Sequence, residues 1–265
     1  MSAETPNTGA ATEFSKVAAV TFTFWIIKIL CTTLGEAGGD AATMGDAALK
    51  FGGVGYAWGT AIFAVLFLVL VTAQILAKKF YPLLYWATII ATTTVGTTLA
   101  DLADRDEGLG YLWGSILLMA LLLASLGIWY KVAGTVSVGS VSGPRAEFFY
   151  WLTIMFSQTL GTALGDWASD SMGLGYLGSV YVFGGALVLV AVLYFATKIS
   201  RTGLFWAAFI LTRPLGAVSG DLFDKPVAKG GFAISRFELS GVLLALIVIC
   251  VLVFPHRAAA REEAH

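Results

Sequence analysis

The chain has 265 residues, of which 58% are hydrophobic and only 12% charged, with a mean hydropathy of +0.82 and a formal charge of −1. A soluble domain usually carries about a quarter charged residues, so half that density argues against a water-soluble enzyme. No basic cluster is present to suggest a nucleic-acid partner. The expected partner is a lipid bilayer: residues 51–77, 111–130 and 171–197 are free of charge, and each reaches the ~20 residues that cross a membrane as helix.

Residues 1–15 are polar and include Glu4 and Glu13, the opposite of a basic signal segment. The first apolar run, from Val17, is therefore expected to be a retained helix. Expected helices then follow in order over 17–41, 54–77, 82–103, 110–130, 147–168, 174–197, 203–223 and 239–255. Cys31 and Cys250 fall inside apolar runs and read as small buried hydrophobes, not as a disulfide.

The eight segments are four copies of one unit. Trp25, Trp86, Trp151 and Trp206 are each followed after ten residues by a glycine (Gly35, Gly96, Gly161, Gly216). Fifteen residues after each tryptophan stands an aspartate: Asp40, Asp101, Asp166 and Asp221. Three copies continue with a G-x-G-Y turn ending at Tyr56, Tyr111 and Tyr176, whereas the fourth keeps only Gly230, Gly231 and Phe232. The expected fold class is all-α: a polytopic transmembrane bundle of about eight helices in four parallel two-helix repeats. The expected boundaries are an N-terminal tail 1–16, repeats 17–81 and 82–131, a linker 132–146, repeats 147–202 and 203–255, and a tail 256–265. An even number of crossings per unit places both termini on one face. That face carries nine basic residues (Lys16, Lys78, Lys79, Lys131, Arg145, Lys198, Arg201, Arg257, Arg261) against five on the other (Lys50, Arg105, Lys225, Lys229, Arg236). The positive-inside rule then makes both termini cytoplasmic.

Counted from each tryptophan, offsets +8, +11, +15 and +18 share a helix face. They hold Thr33, Glu36, Asp40 and Thr43 in the first copy and Thr94, Thr97, Asp101 and Asp104 in the second. The third copy has Thr159, Thr162, Asp166 and Ser169 with Asp170 beside it, and the fourth has Pro214, Ala217, Asp221 and Asp224. Offset +7 is polar as well: Thr32, Thr93, Gln158 and Arg213. Carboxylates at membrane depth cost at least ~2.5 kcal/mol each, so the stripes are expected to converge on a shared interior formed by the first, third, fifth and seventh helices. The glycines suit close helix approach.

Carboxylates and threonine hydroxyls without imidazole or thiolate form a hard oxygen ligand set, suited to Mn²⁺, Mg²⁺ or Ca²⁺. His256 and His265 both lie in the C-terminal tail. Glu36, Asp40, Asp101, Asp166 and Asp221 are the candidate metal ligands. Thr33, Thr94, Thr97, Thr159, Thr162, Asp104, Asp170 and Asp224 form the supporting stripe, with Lys28 and Arg213 as charge partners. The expected function is transport of a hard divalent cation, with proton coupling through the crowded acids. Two alternatives stand beside it: transport of a small anionic metabolite held by Lys28 and Arg213, and a non-transporting scaffold or sensor. No tightly bound organic cofactor is expected. Catalysis is not expected either, because no histidine lies at depth and the residue three before each aspartate does not complete the G-x-G-D of intramembrane aspartyl proteases.

With the four tryptophans and their following glycines and aspartates laid out, the chain resembles a bacterial family of membrane proteins made of four tandem repeats of unknown function. In that family each repeat has two transmembrane segments and a tryptophan. The resemblance covers about residues 17–255 and implies a multi-pass protein of the bacterial inner membrane. It brings no substrate with it. The fourth copy departs most, through Pro214, Ala217 and its altered turn.

Overall fold

A computed structural model describes residues 15–46 and 49–260. Arg261 and His265, both assigned to the tail, lie outside them. The described chain forms eight long helices: α1 (Phe22–Thr43), α2 (Tyr56–Leu76), α3 (Pro82–Asp101), α4 (Tyr111–Ala133), α5 (Pro144–Asp166), α6 (Gly175–Ala196), α7 (Arg201–Asp224) and α8 (Arg236–Val253). Their starts have local causes. Thr21 caps α1 by accepting from Phe24 N, Ser200 and Ser235 cap α7 and α8 in the same way, and prolines open α3 and α5.

The odd helices close a ring in which α1 packs on α3, α3 on α5, α5 on α7 and α7 back on α1. The even helices lie outside it. Each packs chiefly on the ring helix of the next copy, α2 on α3, α4 on α5 and α6 on α7, while α8 returns to α1. The contact unit is therefore even-then-odd, joined by the short links at one end, and the sequence unit of odd-then-even is held together mainly by its turn. For the α8–α1 pair, the chain termini replace the link. Ala18 and Ala258 form an antiparallel bridge, with Ala19 N donating to Arg257 O (2.9 Å) and Ala259 N to Val17 O (2.8 Å).

Five helices are long and apolar enough to span a bilayer by length and composition: α2, α3 with its extension, α4, α6 and α8. The even ones bury only 6–28% of their apolar window inside the protein, against 72% for α3. Surfaces that apolar belong against lipid. The remaining three, α1, α5 and α7, are less apolar along their length; like α3 they carry the polar stripe, which the ring shields. The chain is a multi-pass, all-helical membrane protein.

Small features at the turn end depart from a plain glycine turn. The first turn contains a two-stranded hairpin of β1 (Gly45–Asp46) and β2 (Phe51–Gly52), too short to leave a pattern in the sequence. Beyond α3 and α5 the chain widens into π-helical turns, 102–106 and 167–171. The following G-x-G segments need left-handed backbone: Gly108 and Gly110 have φ of 70° and 79°, values that cost a side-chain-bearing residue dearly.

Candidate functional site

One register rule builds the ring interior. A methyl group at Gly35 would collide with Thr93, at Gly96 with the backbone of Gln158, at Gly161 with Arg213 and at Gly216 with Thr32. Each +10 glycine thus receives the +7 residue of the next copy, and the fourth receives that of the first. The small residues at +14 repeat the relation one turn further on: Gly39 abuts Thr97, and Gly220 abuts Glu36. Glycine brings the backbones together, and the side chain it lacks is replaced by a polar group reaching inward.

Toward the terminal end the same register carries aromatics at −1. Phe24 packs on Trp86, Tyr85 on Trp151, Tyr150 on Trp206 and Phe205 on Trp25, with ring centroids 5.4–6.4 Å apart. This second circuit is also closed. Tyr85 and Tyr150 hydroxyls share a 2.8 Å hydrogen bond across it, and one turn deeper Lys28, Ile89, Ile154 and Phe209 are fully buried at +3.

At the depth of +11 all four copies meet, the fourth through Arg213 reaching from +7. Arg213 from α7 donates through Nη1 and Nη2 to Glu36 Oε2 of α1, both at 3.1 Å. Its Nη2 also donates to the hydroxyls of Thr97 on α3 and Thr162 on α5. Every one of these groups is 1% exposed or less. One turn on, the +15 aspartates are bridged in pairs by bases at +19. Arg105 joins Asp101 (Nε, 2.9 Å) to Asp166 of the next copy (Nη2, 2.9 Å). Lys225 joins Asp221 (2.9 Å) to Asp40. Arg236, at the start of α8, adds a contact to Asp224 (2.6 Å) and a longer one to Asp40 (3.6 Å). Burial acts to strip the Lys225 proton, but the carboxylates of Asp221, Asp40 and Asp224 outweigh it and push its pKa well above the ordinary lysine value.

Several sequence expectations need correction. Thr33, Thr94 and Thr159 at +8 turn back on their own helices, donating to Ile29 O (3.0 Å), Ile90 O (2.9 Å) and Met155 O (3.0 Å). The interior follows −1, +3, +7, +11 and +15, a nearly fourfold step, so +7 and not +8 faces the centre. Asp170 is exposed and stands apart from the network. Asp104 is buried against Gly114 of α4, with neither oxygen hydrogen-bonded. Arg213 pairs with Glu36 and not with Asp221, and Lys28 pairs with no carboxylate among the described residues. Its ammonium lies over the Phe209 ring, 4.1 Å from the centroid. Arg105, Lys225 and Arg236, counted above as loop charges, belong to the site. The signal for two of them was present: Arg105 and Lys225 each stand four residues after a ring aspartate, one helical turn.

The arrangement leaves an imbalance. In this half the ring helices and the π-helical turn after α3 bury seven carboxylates (Glu36, Asp40, Asp101, Asp104, Asp166, Asp221, Asp224), and four bases (Arg105, Arg213, Lys225, Arg236) reach all of them but Asp104. Seven minus four leaves three negative charges to be met by protons or by a cation. Glu36, Asp40 and Asp221 each place one carboxylate oxygen within 4.8 Å of the other two.

The model of the family described as a repeat of unknown function, DUF347, matches residues 23–80, 84–135, 149–200 and 204–257. No curated protein and no solved structure is detectably similar to the chain. The chain belongs to this repeat family.

Proposed function

We propose that this member of the DUF347 repeat family is a transporter of a hard divalent cation, Mn²⁺, Ca²⁺ or Mg²⁺, in the bacterial inner membrane. The observation that carries the reading is the trio Glu36, Asp40 and Asp221 with oxygens within 4.8 Å of one another, set in a buried half-ring with three more acids than bases. Opposite oxygen ligands of one Ca²⁺ stand roughly 4.6–5.2 Å apart, twice the bond length, so the trio matches the span of one ion's coordination shell. Asp101, Asp166 and the hydroxyls of Thr97 and Thr162 extend the oxygen-lined interior, and Asp224 and Asp104 flank it toward the turns.

Lys225 occupies the place of a resident cation, between Asp40 and Asp221. Its raised proton affinity means that it gives way by swinging aside as an ammonium, not by losing its proton. A divalent ion arriving from the turn end would take over the same two carboxylates. The surplus acids can meet the remaining charge imbalance by exchanging protons, which is the basis for proton coupling. The aromatic circuit then serves as the barrier on the terminal side. The chemistry is carriage of an ion, without a catalysed reaction.

Orientation with both termini in the cytoplasm gains support from the network. Three of the five basic residues at the turn end, Arg105, Lys225 and Arg236, are engaged with buried acids. That leaves Lys50 and Lys229 as loop charges and widens the bias toward the terminal end.

Uptake by proteoliposomes, measured for Mn²⁺, Ca²⁺ and Mg²⁺ and normalised to folded protein, tests the proposal. Asp221→Asn keeps the shape of the site and leaves Lys225 paired with Asp40. It is expected to cut uptake by at least tenfold while the protein still accumulates. Full normalised uptake in Asp221→Asn, or no uptake of any of the three ions by the natural protein, would overturn the reading.

A further inference from the structure

Between the aromatic circuit and the Glu36–Arg213 layer lies a band of ring interior that the cation site does not use. Lys28 is fully buried there, its Nζ has no hydrogen-bond partner, and its ionisable neighbours are Cys31 and Arg213. At +7, Gln158 is fully buried with both side-chain atoms unpartnered, as are Thr93 Oγ1 and the Arg213 Nε–H. These four residues come one from each ring helix: Lys28 from α1, Thr93 from α3, Gln158 from α5 and Arg213 from α7. Thr93 and Arg213 are seated against the glycines Gly35 and Gly161, so close helix approach fixes where they stand.

Buried polar atoms almost always have partners, and an unpaired buried charge costs several kcal/mol. Here four unpartnered groups gather in one band, and their chemistry agrees. An ammonium, a guanidinium N–H, an amide NH₂ and a hydroxyl can all donate, while only the amide oxygen and the hydroxyl can accept. Glu36 offsets the charge of Arg213; among the described residues no carboxylate pairs with Lys28. The surrounding walls, Ile89, Ile154 and Phe209, are apolar.

We infer that Lys28, Thr93, Gln158 and Arg213 form a binding site for a small monovalent anion of the nitrate or halide class. One negative charge balances Lys28, and the donors replace the weak hydration shell of such an ion. Sulfate or phosphate would bring a second charge and a hydration shell that the apolar walls cannot replace. The site adjoins the Glu36–Asp40–Asp221 trio through Arg213, which also pairs with Glu36, while the Lys28, Thr93 and Gln158 side chains form no hydrogen bond with the trio's carboxylates, so the inference does not depend on cation transport.

The test uses purified full-length protein in detergent, with sodium nitrate replacing sodium sulfate at constant ionic strength. The thermal midpoint is expected to rise and saturate with nitrate. In Lys28→Met, whose side chain suits the apolar layer, that rise is lost. Gln158→Leu is expected to shift the nitrate titration about tenfold toward weaker binding. Mn²⁺ binding measured on the same Lys28→Met sample is expected to match the natural protein, which separates failure of this site from failure of the cation reading. An absent or non-saturating rise in the natural protein, or the same titration in Lys28→Met and Gln158→Leu, would mean that the band holds water and a neutral amine, and the inference would fall.

Discussion

At the terminal end of the ring, four aromatic side chains at −1 pass contacts from copy to copy, and four copies give nearly equivalent pairs. At the turn end four aspartates occupy +15 in the same register, yet the bases that bridge them come only from the second and fourth copies. The aromatic half keeps fourfold character because ring stacking needs only shape. The charged half drops to a twofold pattern because Met44 and Asp170 stand at +19 in the first and third copies, and the proposed cation site needs the negative charge that bases there would neutralise. Glu36 and Arg213 break even the twofold relation. Repetition supplies a frame, and divergence among the copies supplies the site.

Removing a partner from the charged half should have the largest effect. Arg213→Met strands Glu36 and deprives Thr97 and Thr162 of their donor, and a loss of about 3–5 kcal/mol is expected for breaking one side of a buried pair. Glu36→Gln added to it should restore more than half of the lost thermal stability. If Arg213→Met alone unfolds at the temperature of the natural protein, the charged half does not depend on this pair.

A smaller change is expected in the aromatic half. Tyr85→Phe keeps every ring contact and removes one side of the 2.8 Å hydroxyl pair, leaving Tyr150 unpartnered at an expected cost of about 1–3 kcal/mol. Cation uptake per folded molecule should be unchanged, because the variant does not touch the carboxylates. A large loss of uptake at undiminished stability would show that the barrier takes part in transport through its hydroxyls.

The smallest effect separates two threonines one turn apart. Thr159→Val removes a hydroxyl that bonds only its own helix and should change stability by less than about 0.5 kcal/mol. Thr162→Val removes an acceptor of Arg213 and should cost about 1 kcal/mol or more. Equal losses in denaturant titrations of the two variants would mean that the interior register has been placed one residue out.

Much of the ring could be read in the sequence, because a glycine ten residues and an aspartate fifteen residues after each tryptophan are local signals that repeat. The face was misjudged by one position at +8, where threonine is polar in composition but spends its hydroxyl on its own backbone. Periodicity cannot tell those two uses of a hydroxyl apart. Arg105 and Lys225 read as loop charges because they follow the last apolar residues of their helices, and Arg236 because it precedes the apolar run of its own. Only the π-helical turn and the start of α8 bring Arg105 and Arg236 back over the ring. The pairing of even helices with the next copy had no local signal, since it depends on which side of the ring each short link crosses.

The bridge from Arg213 to Glu36 spans 177 residues of chain, and that from Lys225 to Asp40 spans 185. Ribosomes add roughly 5–20 residues per second, so Glu36 is made about nine to thirty-five seconds before its guanidinium. During that interval α1, which falls short of the hydropathy a lone span requires, holds two carboxylates and an ammonium without their final partners. The first helix of this protein is therefore an early passenger that has to be sheltered, by the insertion machinery or by protonation, until the seventh arrives to close the ring.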